Sequence, residues 1–176
     1  MKILKIILFG ILTMIGLVLI IALFVKKQYT IKREITISKP NAEVFDYIKL
    51  LKNQDNYNQW VMMDPTMKKE FTGTDGTVGF VYAWDGNEQA GKGEQEIVKI
   101  NEGNALDLEI RFIKPFAGIA HTQLSTKPES EGKALVTWTM VGESKYPMNI
   151  TNLFIHSMLG KDLKISLLNL KNILEK

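Results

Sequence analysis

The chain has three hydrophobic rhythms in succession, and each predicts a different kind of element. The first is a run without any charge, from Ile6 to Val25, 20 residues in which only Gly10, Thr13 and Gly16 are weakly apolar. At 1.5 Å per residue a helix of that length spans about 30 Å, the thickness of a hydrocarbon core. A helix also satisfies its own backbone polar groups, as lipid requires. Lys2 and Lys5 on one side, and Lys26 and Lys27 on the other, close the run where headgroups and water solvate them. A cleaved signal peptide would carry a shorter apolar region, roughly 7–15 residues, followed by a small-x-small site. Ala22-Leu23-Phe24-Val25-Lys26-Lys27 offers no such site. Residues 1–27 are therefore read as a transmembrane anchor, with residues 6–25 in the membrane.

The second rhythm is alternation. Tyr29 to Ile37 alternates and is rich in β-branched residues, which predicts a strand that begins almost at the end of the anchor. Ser38-Lys39-Pro40 stops it. Ala42 to Leu51 reads as a short helix, with Val44, Phe45, Ile48 and Leu51 on one face, and Asn53 to Trp60 as a second short helix or a loop. Strands are then predicted at Met67 to Thr72, Val78 to Trp84, Gly93 to Asn101, Ala105 to Phe112, His121 to Lys127 and Lys133 to Gly142. Thr74-Asp75-Gly76, Asp85-Gly86-Asn87 and Glu102-Gly103-Asn104 supply turns. Leu106, Leu108, Ile110 and Phe112 fall on one side of their strand, and Asp107, Glu109 and Arg111 on the other, as in a half-buried antiparallel strand.

The third rhythm is helical. From Asn149 onward Leu153, Phe154, Met158, Leu163, Leu167, Leu170 and Leu174 recur mostly at steps of three and four. About 25 residues would make a helix about 38 Å long, enough to cross a seven-stranded sheet about 29 Å wide.

Charge changes the picture in one respect. The chain carries +3 overall, but Lys2, Lys5, Lys26 and Lys27 flank the anchor; without them 18 basic residues face 19 acids. The body, residues 28–176, is close to neutral and lacks the basic stripe of a nucleic-acid binder. Five basic residues soon after the run (Lys26, Lys27, Lys32, Arg33, Lys39) against Lys2, Lys5 and the amino terminus before it lean toward a cytoplasmic body. The absence of cysteine excludes disulfides, thiolate catalysis and cysteine-ligated metals.

Strand, two short helices, six strands, long helix: in that order the sequence resembles the START-like, or SRPBCC, superfamily, which includes birch-pollen-allergen-like proteins, START lipid carriers and polyketide cyclase/dehydrase proteins. The likeness is nearest to the small bacterial polyketide-cyclase-like branch. It is carried by Ile35-Thr36-Ile37-Ser38-Lys39-Pro40-Asn41-Ala42-Glu43-Val44-Phe45-Asp46-Tyr47-Ile48, by Trp60, by Gly91-Lys92-Gly93-Glu94-Gln95-Glu96-Ile97 and by Leu108-Glu109-Ile110-Arg111-Phe112-Ile113-Lys114-Pro115-Phe116, and it covers about residues 29–176. The resemblance implies an α+β helix-grip fold, in which a curved antiparallel sheet of about seven strands wraps the C-terminal helix and encloses an apolar cavity.

Phe80, Tyr82 and Trp84 share one face of their strand, Trp138 and Met140 share a face of the last strand, and Phe112, Phe154 and Met158 are expected to point inward. With Trp60 these are the candidate ligand-binding residues. They would either line a cavity, with Tyr and Trp supplying polar tips, or pack a filled core. Glu94 and Glu96 sit about 7 Å apart on one strand face. With Tyr82 they are the candidates for acid–base work if they turn inward; a solvated face is the simpler reading. His121 and His156 lack close-spaced partners, so no metal site is expected. Asp85-x-Asn87-x-Gln89 has Ala90 where a calcium loop needs glycine, and Gly91-x-Gly93 lacks the third glycine of a dinucleotide site. No cofactor is implied. Asn149-Ile150-Thr151 is a formal glycosylation sequon, read as a chance match. The expectation is a membrane-anchored module that binds a lipid or other small hydrophobic ligand without catalysis. The alternatives are a cyclase/dehydrase-like enzyme and a tethered interaction module with a filled core.

Overall fold

The computed structural model describes residues 2–176. Helix α1 (Lys2–Phe24) is followed after three residues by strand β1 (Gln28–Ile37). Pro40 precedes α2 (Asn41–Lys49), and a short 3-10 turn at Leu51–Asn53 leads into two one-turn helices, α3 (Gln54–Tyr57) and α4 (Gln59–Met62). Then come β2 (Lys68–Thr72), β3 (Val81–Asp85), β4 (Lys92–Asn101), β5 (Ala105–Lys114), β6 (Gly118–Ser130) and β7 (Lys133–Glu143). A 3-10 turn at Met148–Thr151 precedes the long helix α5 (Asn152–Leu174).

The strands form one antiparallel sheet in the order β1-β7-β6-β5-β4-β3-β2. Strands β2 to β7 are a meander of neighbours, and β7 closes onto β1, so the chain crosses from one edge to the other only through α2–α4. The register shifts at Lys92/Gly93 and Ile97/Lys99 between β4 and β5, and at Pro128/Ser130 between β6 and β7. Bulges of this kind bend a strand and increase its twist, and the sheet curves around α5.

Burial follows the alternation. On β5 Leu106, Leu108 and Ile110 are buried while Asp107, Glu109 and Arg111 are half-buried on the outer face. Val44, Phe45 and Ile48 of α2 are buried in the same core as Leu163, Leu167 and Leu170 of α5 and Ile31 and Ile37 of β1. In α1 only Ala22 is buried, and Ile3 to Phe24 present a nearly continuous apolar surface. The helix is long and apolar enough to cross a membrane.

Two local expectations are corrected. The strand predicted from Val78 begins at Val81, because Gly79 takes a positive φ of 86° and Phe80 N–H turns back to the Thr77 carbonyl. The helical stripe predicted from Asn149 opens as a 3-10 turn, and Leu153, Phe154 and Met158 lie outside the core, because the inward face of the first turns of α5 is set by Ile155 and Leu159, which pack against the core, and not by the residues beside them.

Candidate functional site: a cavity between sheet and long helix

A cavity of about 190 Å³ lies under the curved sheet. Trp60 and Val61 of α4 and Met67 close one wall; Tyr82 and Trp84 of β3, Gln95 of β4, and Ile110 and Phe112 of β5 make the sheet wall; Trp138 and Met140 of β7 and Leu159 of α5 complete it. Gln89, Ala90, Lys114 and Pro115 stand at the mouth. The volume falls below the roughly 300–1,000 Å³ of pockets that take drug-sized ligands. It exceeds the ~150 Å³ of an apolar cavity that holds benzene. One ring or a short chain fits; a whole lipid does not.

The strand parity builds this wall. Tyr82 pairs with Gln95 and Trp84 with Gly93, so these four share the inner face. A Cβ on Gly93 would lie 2.8 Å from the Trp84 ring and 2.6 Å from the Arg111 carbonyl oxygen. Glycine is what lets the indole approach β4 this closely. Gly91, at φ 67°, makes the turn into the strand.

The polar groups of the cavity are amides. Gln54 and Gln95 exchange hydrogen bonds, with Gln95 Nε2 donating to Gln54 Oε1 at 3.0 Å and Gln54 Nε2 to Gln95 Oε1 at 3.3 Å. Asn58 Nδ2 also donates to Gln54 Oε1, at 2.8 Å, while its Oδ1 accepts from Trp60 N–H and caps α4. An amide offers two donors and two acceptor lone pairs, so Gln95 and Asn58 retain capacity toward the cavity they line. Tyrosine and tryptophan do not supply the polar tips expected of them. Tyr82 Oη donates to Asp55 Oδ1 at 2.7 Å, Trp84 Nε1 to the Ala90 carbonyl, and Trp138 Nε1 to Thr122 Oγ1. Each is already satisfied within the protein. Burial pushes the Tyr82 phenol well above its usual range, and the bond to Asp55 raises it further; it stays protonated at neutral pH.

Of the nine residues singled out as ligand-binding, Trp60, Tyr82, Trp84, Phe112, Trp138 and Met140 line the cavity. Phe80 is buried in the adjoining core, stacked on Phe71 at 6.2 Å. Phe154 and Met158 are corrections: at 63% and 65% exposure they face outward on the first turns of α5. Glu94 and Glu96 are corrections as candidate acid–base groups. They pair with Ala83 and Val81, on the face opposite Tyr82, and are held by Arg111. Nε of Arg111 meets Glu94 at 2.6 Å, one terminal nitrogen Glu96 at 2.8 Å and the other Glu109 at 2.6 Å. None of the three candidates for proton transfer meets another.

The sequence reading missed Gln54, Gln95, Asn58 and Asn149. A glutamine between two glutamates, Glu94-Gln95-Glu96, was the available signal for Gln95: it occupies the inner parity of a strand whose next inner residue is Ile97. Asn149 carries no local signal. It is buried, and its Nδ2 donates to the carbonyls of Ala22 at 2.6 Å and Val25 at 2.7 Å at the end of α1.

No family model matches the chain, and no curated protein matches it. Solved structures do. Norcoclaurine synthase from Thalictrum flavum, in complex with dopamine and hydroxybenzaldehyde, aligns with a TM-score of 0.66 at 9% identity, over 88% of this chain and 90% of that one. A protein from Thermobifida fusca aligns at 0.61 and 18% identity over 81% and 90%, and the Aha1 dimer from Colwellia psychrerythraea at 0.59 and 14% over 84% and 96%. At such identities the likeness is one of fold: the helix-grip architecture of START and Bet v1-like proteins.

Proposed function

We propose that the protein is a membrane-anchored binding module that takes a small, mainly apolar molecule carrying one neutral hydrogen-bonding group. The observation that carries this reading is the cavity itself, about 190 Å³, walled by Trp60, Trp84, Phe112, Trp138 and Met140 with the amides of Gln95 and Asn58 on its polar side. No charged side chain lines its buried part; Lys114 stands at the mouth. A single-ring alcohol or a short acyl chain matches that chemistry, and a lipid would enter only by part of a chain. The cyclase/dehydrase alternative has lost its carboxylates, since Glu94 and Glu96 face away from the cavity.

Membrane residence is supported by α1, 23 residues long and apolar on every side. The body follows without a linker, so a membrane-dissolved ligand meets the cavity at high effective concentration. The lysines that follow α1 favour a cytoplasmic body.

The three tryptophans of the chain all line the cavity, so intrinsic fluorescence reports its occupancy. Titrating the full-length protein in nanodiscs with single-ring alcohols is expected to shift tryptophan emission saturably. Gln95→Leu is expected to weaken alcohols by about tenfold and to spare the matching hydrocarbons, the loss of one hydrogen bond. If no such compound changes the emission and native mass spectrometry of the detergent-extracted protein retains no small molecule, the binding function is wrong.

A further inference from the structure

Three separate segments expose large apolar side chains, and the topology brings them to one end of the body. The β5–β6 hairpin exposes Ile113, Phe116 (68%) and Ile119; the β7–α5 connection exposes Tyr146 and Met148; the first turns of α5 expose Leu153, Phe154 and Met158. Register fixes their placement. Ala120 of β6 pairs with Gly142 of β7, and Gly142 pairs with Tyr29 of β1, two residues from Lys27. Lys92 at the start of β4 pairs with Lys114 at the end of β5. This end also holds the cavity mouth at Gln89, Ala90, Lys114 and Pro115.

The same end grips α1. Beyond the two bonds from Asn149, Asn152 Nδ2 donates to the carbonyls of Lys26 and Lys27 at 2.9 and 2.8 Å, and Ser144 N–H to that of Lys27 at 2.9 Å. The last carbonyls of a helix have no partner within it; Asn149 takes that of Ala22 in the last turn, and the remaining bonds hold residues 25–27, which join α1 to β1. Because Ala22 is the only buried residue of α1, the helix leaves the body within its last turns. Lys26, Lys27, Lys114 and Lys145 are exposed at this end, together with the acids Asp85, Glu88 and Glu143.

We infer that this end of the body is an interfacial membrane surface: the capped α1 holds it on the bilayer, Phe116, Phe154 and Met158 enter the headgroup layer, and the cavity mouth opens onto lipid rather than onto water. Apolar patches rimmed by lysines bind anionic bilayers in this way. The occupant is the bilayer that α1 spans, so the inference rests on the anchor reading above. It accounts for the exposure of Phe154 and Met158, which the core does not use.

The chain has no cysteine, so single labels are straightforward. Phe116→Cys, Phe154→Cys, Glu131→Cys and Ile15→Cys of the full-length protein, each carrying an environment-sensitive fluorophore, are reconstituted into phosphatidylcholine–phosphatidylglycerol vesicles. Labels at 116 and 154 are expected to be quenched several-fold more by headgroup-level spin-labelled lipid than the label at 131, and to be protected from aqueous iodide. The label at 15 is expected to respond to deep spin-labelled lipid. If 15 is deep while 116 and 154 are as open to iodide as 131, the interfacial surface is overturned and the anchor stands. If 15 itself is open to iodide, the anchor fails and the inference with it. Asn149→Asp, which sets a carboxylate against the Ala22 and Val25 carbonyls, is expected to lower the lipid quenching at 154 and leave 15 unchanged; undiminished quenching would overturn the role given to the cap.

Discussion

Arg33 of β1 and Gly160 of α5 are in direct contact: the Arg33 guanidinium donates through Nε to the Gly160 carbonyl at 3.1 Å, and a Cβ on Gly160 would collide with its terminal nitrogen. A second donor of Arg33 reaches the His156 carbonyl at 3.1 Å, one turn earlier. The glycine is the reason an arginine fits between strand and helix. In an unconstrained helix Gly→Ala stabilises by about 1 kcal/mol. Here Gly160→Ala is expected to displace the guanidinium and forfeit its two bonds to α5, cancelling that gain, and to become stabilising in an Arg33→Ala background. Thermal unfolding of the single and double variants measures the coupling; a stabilised Gly160→Ala would show that the contact is slack.

Gly93 plays the corresponding part at the cavity. Gly93→Ala is expected to push the Trp84 indole off β4 into the cavity, to shift its emission, and to weaken small-ligand binding about tenfold or more. Unchanged affinity with an unchanged spectrum would mean that Trp84 does not shape the site.

On the outer face Arg111 holds Glu94, Glu96 and Glu109 together, with Glu96 and Glu109 directly cross-strand. Like charges opposite each other destabilise a sheet. Arg111→Met is expected to cost about 1 kcal/mol, given the partial exposure of the network, and high salt is expected to return much of it by screening. A loss that does not respond to salt would assign the role of Arg111 to packing.

Asp64 ties the β3–β4 loop to α4. Its Oδ1 accepts from the Thr66 hydroxyl at 2.7 Å and the Thr66 N–H at 3.0 Å, and its Oδ2 from Asn87 N–H at 2.7 Å. The Thr66 hydroxyl first, and then the Asn87 amide, hold its carboxyl below the ordinary value of 3.8. A depressed folded-state pKa contributes stability that is complete above the ordinary value and is lost as pH falls through the folded one. The loop at the cavity mouth is therefore expected to loosen below about pH 4, seen as faster amide exchange at residues 86–91. In Asp64→Asn that acid-dependent step should vanish; its persistence would place the titrating group elsewhere.

Alternation and turn residues made most of the elements legible, since a strand with one buried face must repeat at period two and a helix at 3.6. Every predicted strand is present within a few residues, and parity grouped Tyr82 with Trp84 and Trp138 with Met140, while the cavity they line was expected from the family resemblance. Parity divides a strand into two faces without saying which is inner. On β4 a solvated face was the simpler reading of Glu94 and Glu96, and pairing with β3 puts them on the face opposite Tyr82 and turns Gly93, Gln95 and Ile97 inward. The stripe on α5 likewise named both Leu167 and Phe154, although one is buried in the core and the other lies on the outer face, where Ile155 takes the inward position.

By itself the sequence determined an uncharged run long enough to cross a bilayer, a near-neutral body and an order of strands and helices, because these depend on local spacing and composition. The tertiary structure decided what spacing cannot carry. Asn149 caps a helix more than a hundred residues earlier, the amide pair Gln54 and Gln95 joins two distant segments, and Phe116, Tyr146 and Phe154 gather at the end from which α1 departs. Each of these is a contact between residues far apart in the chain, and it exists only once the sheet has closed.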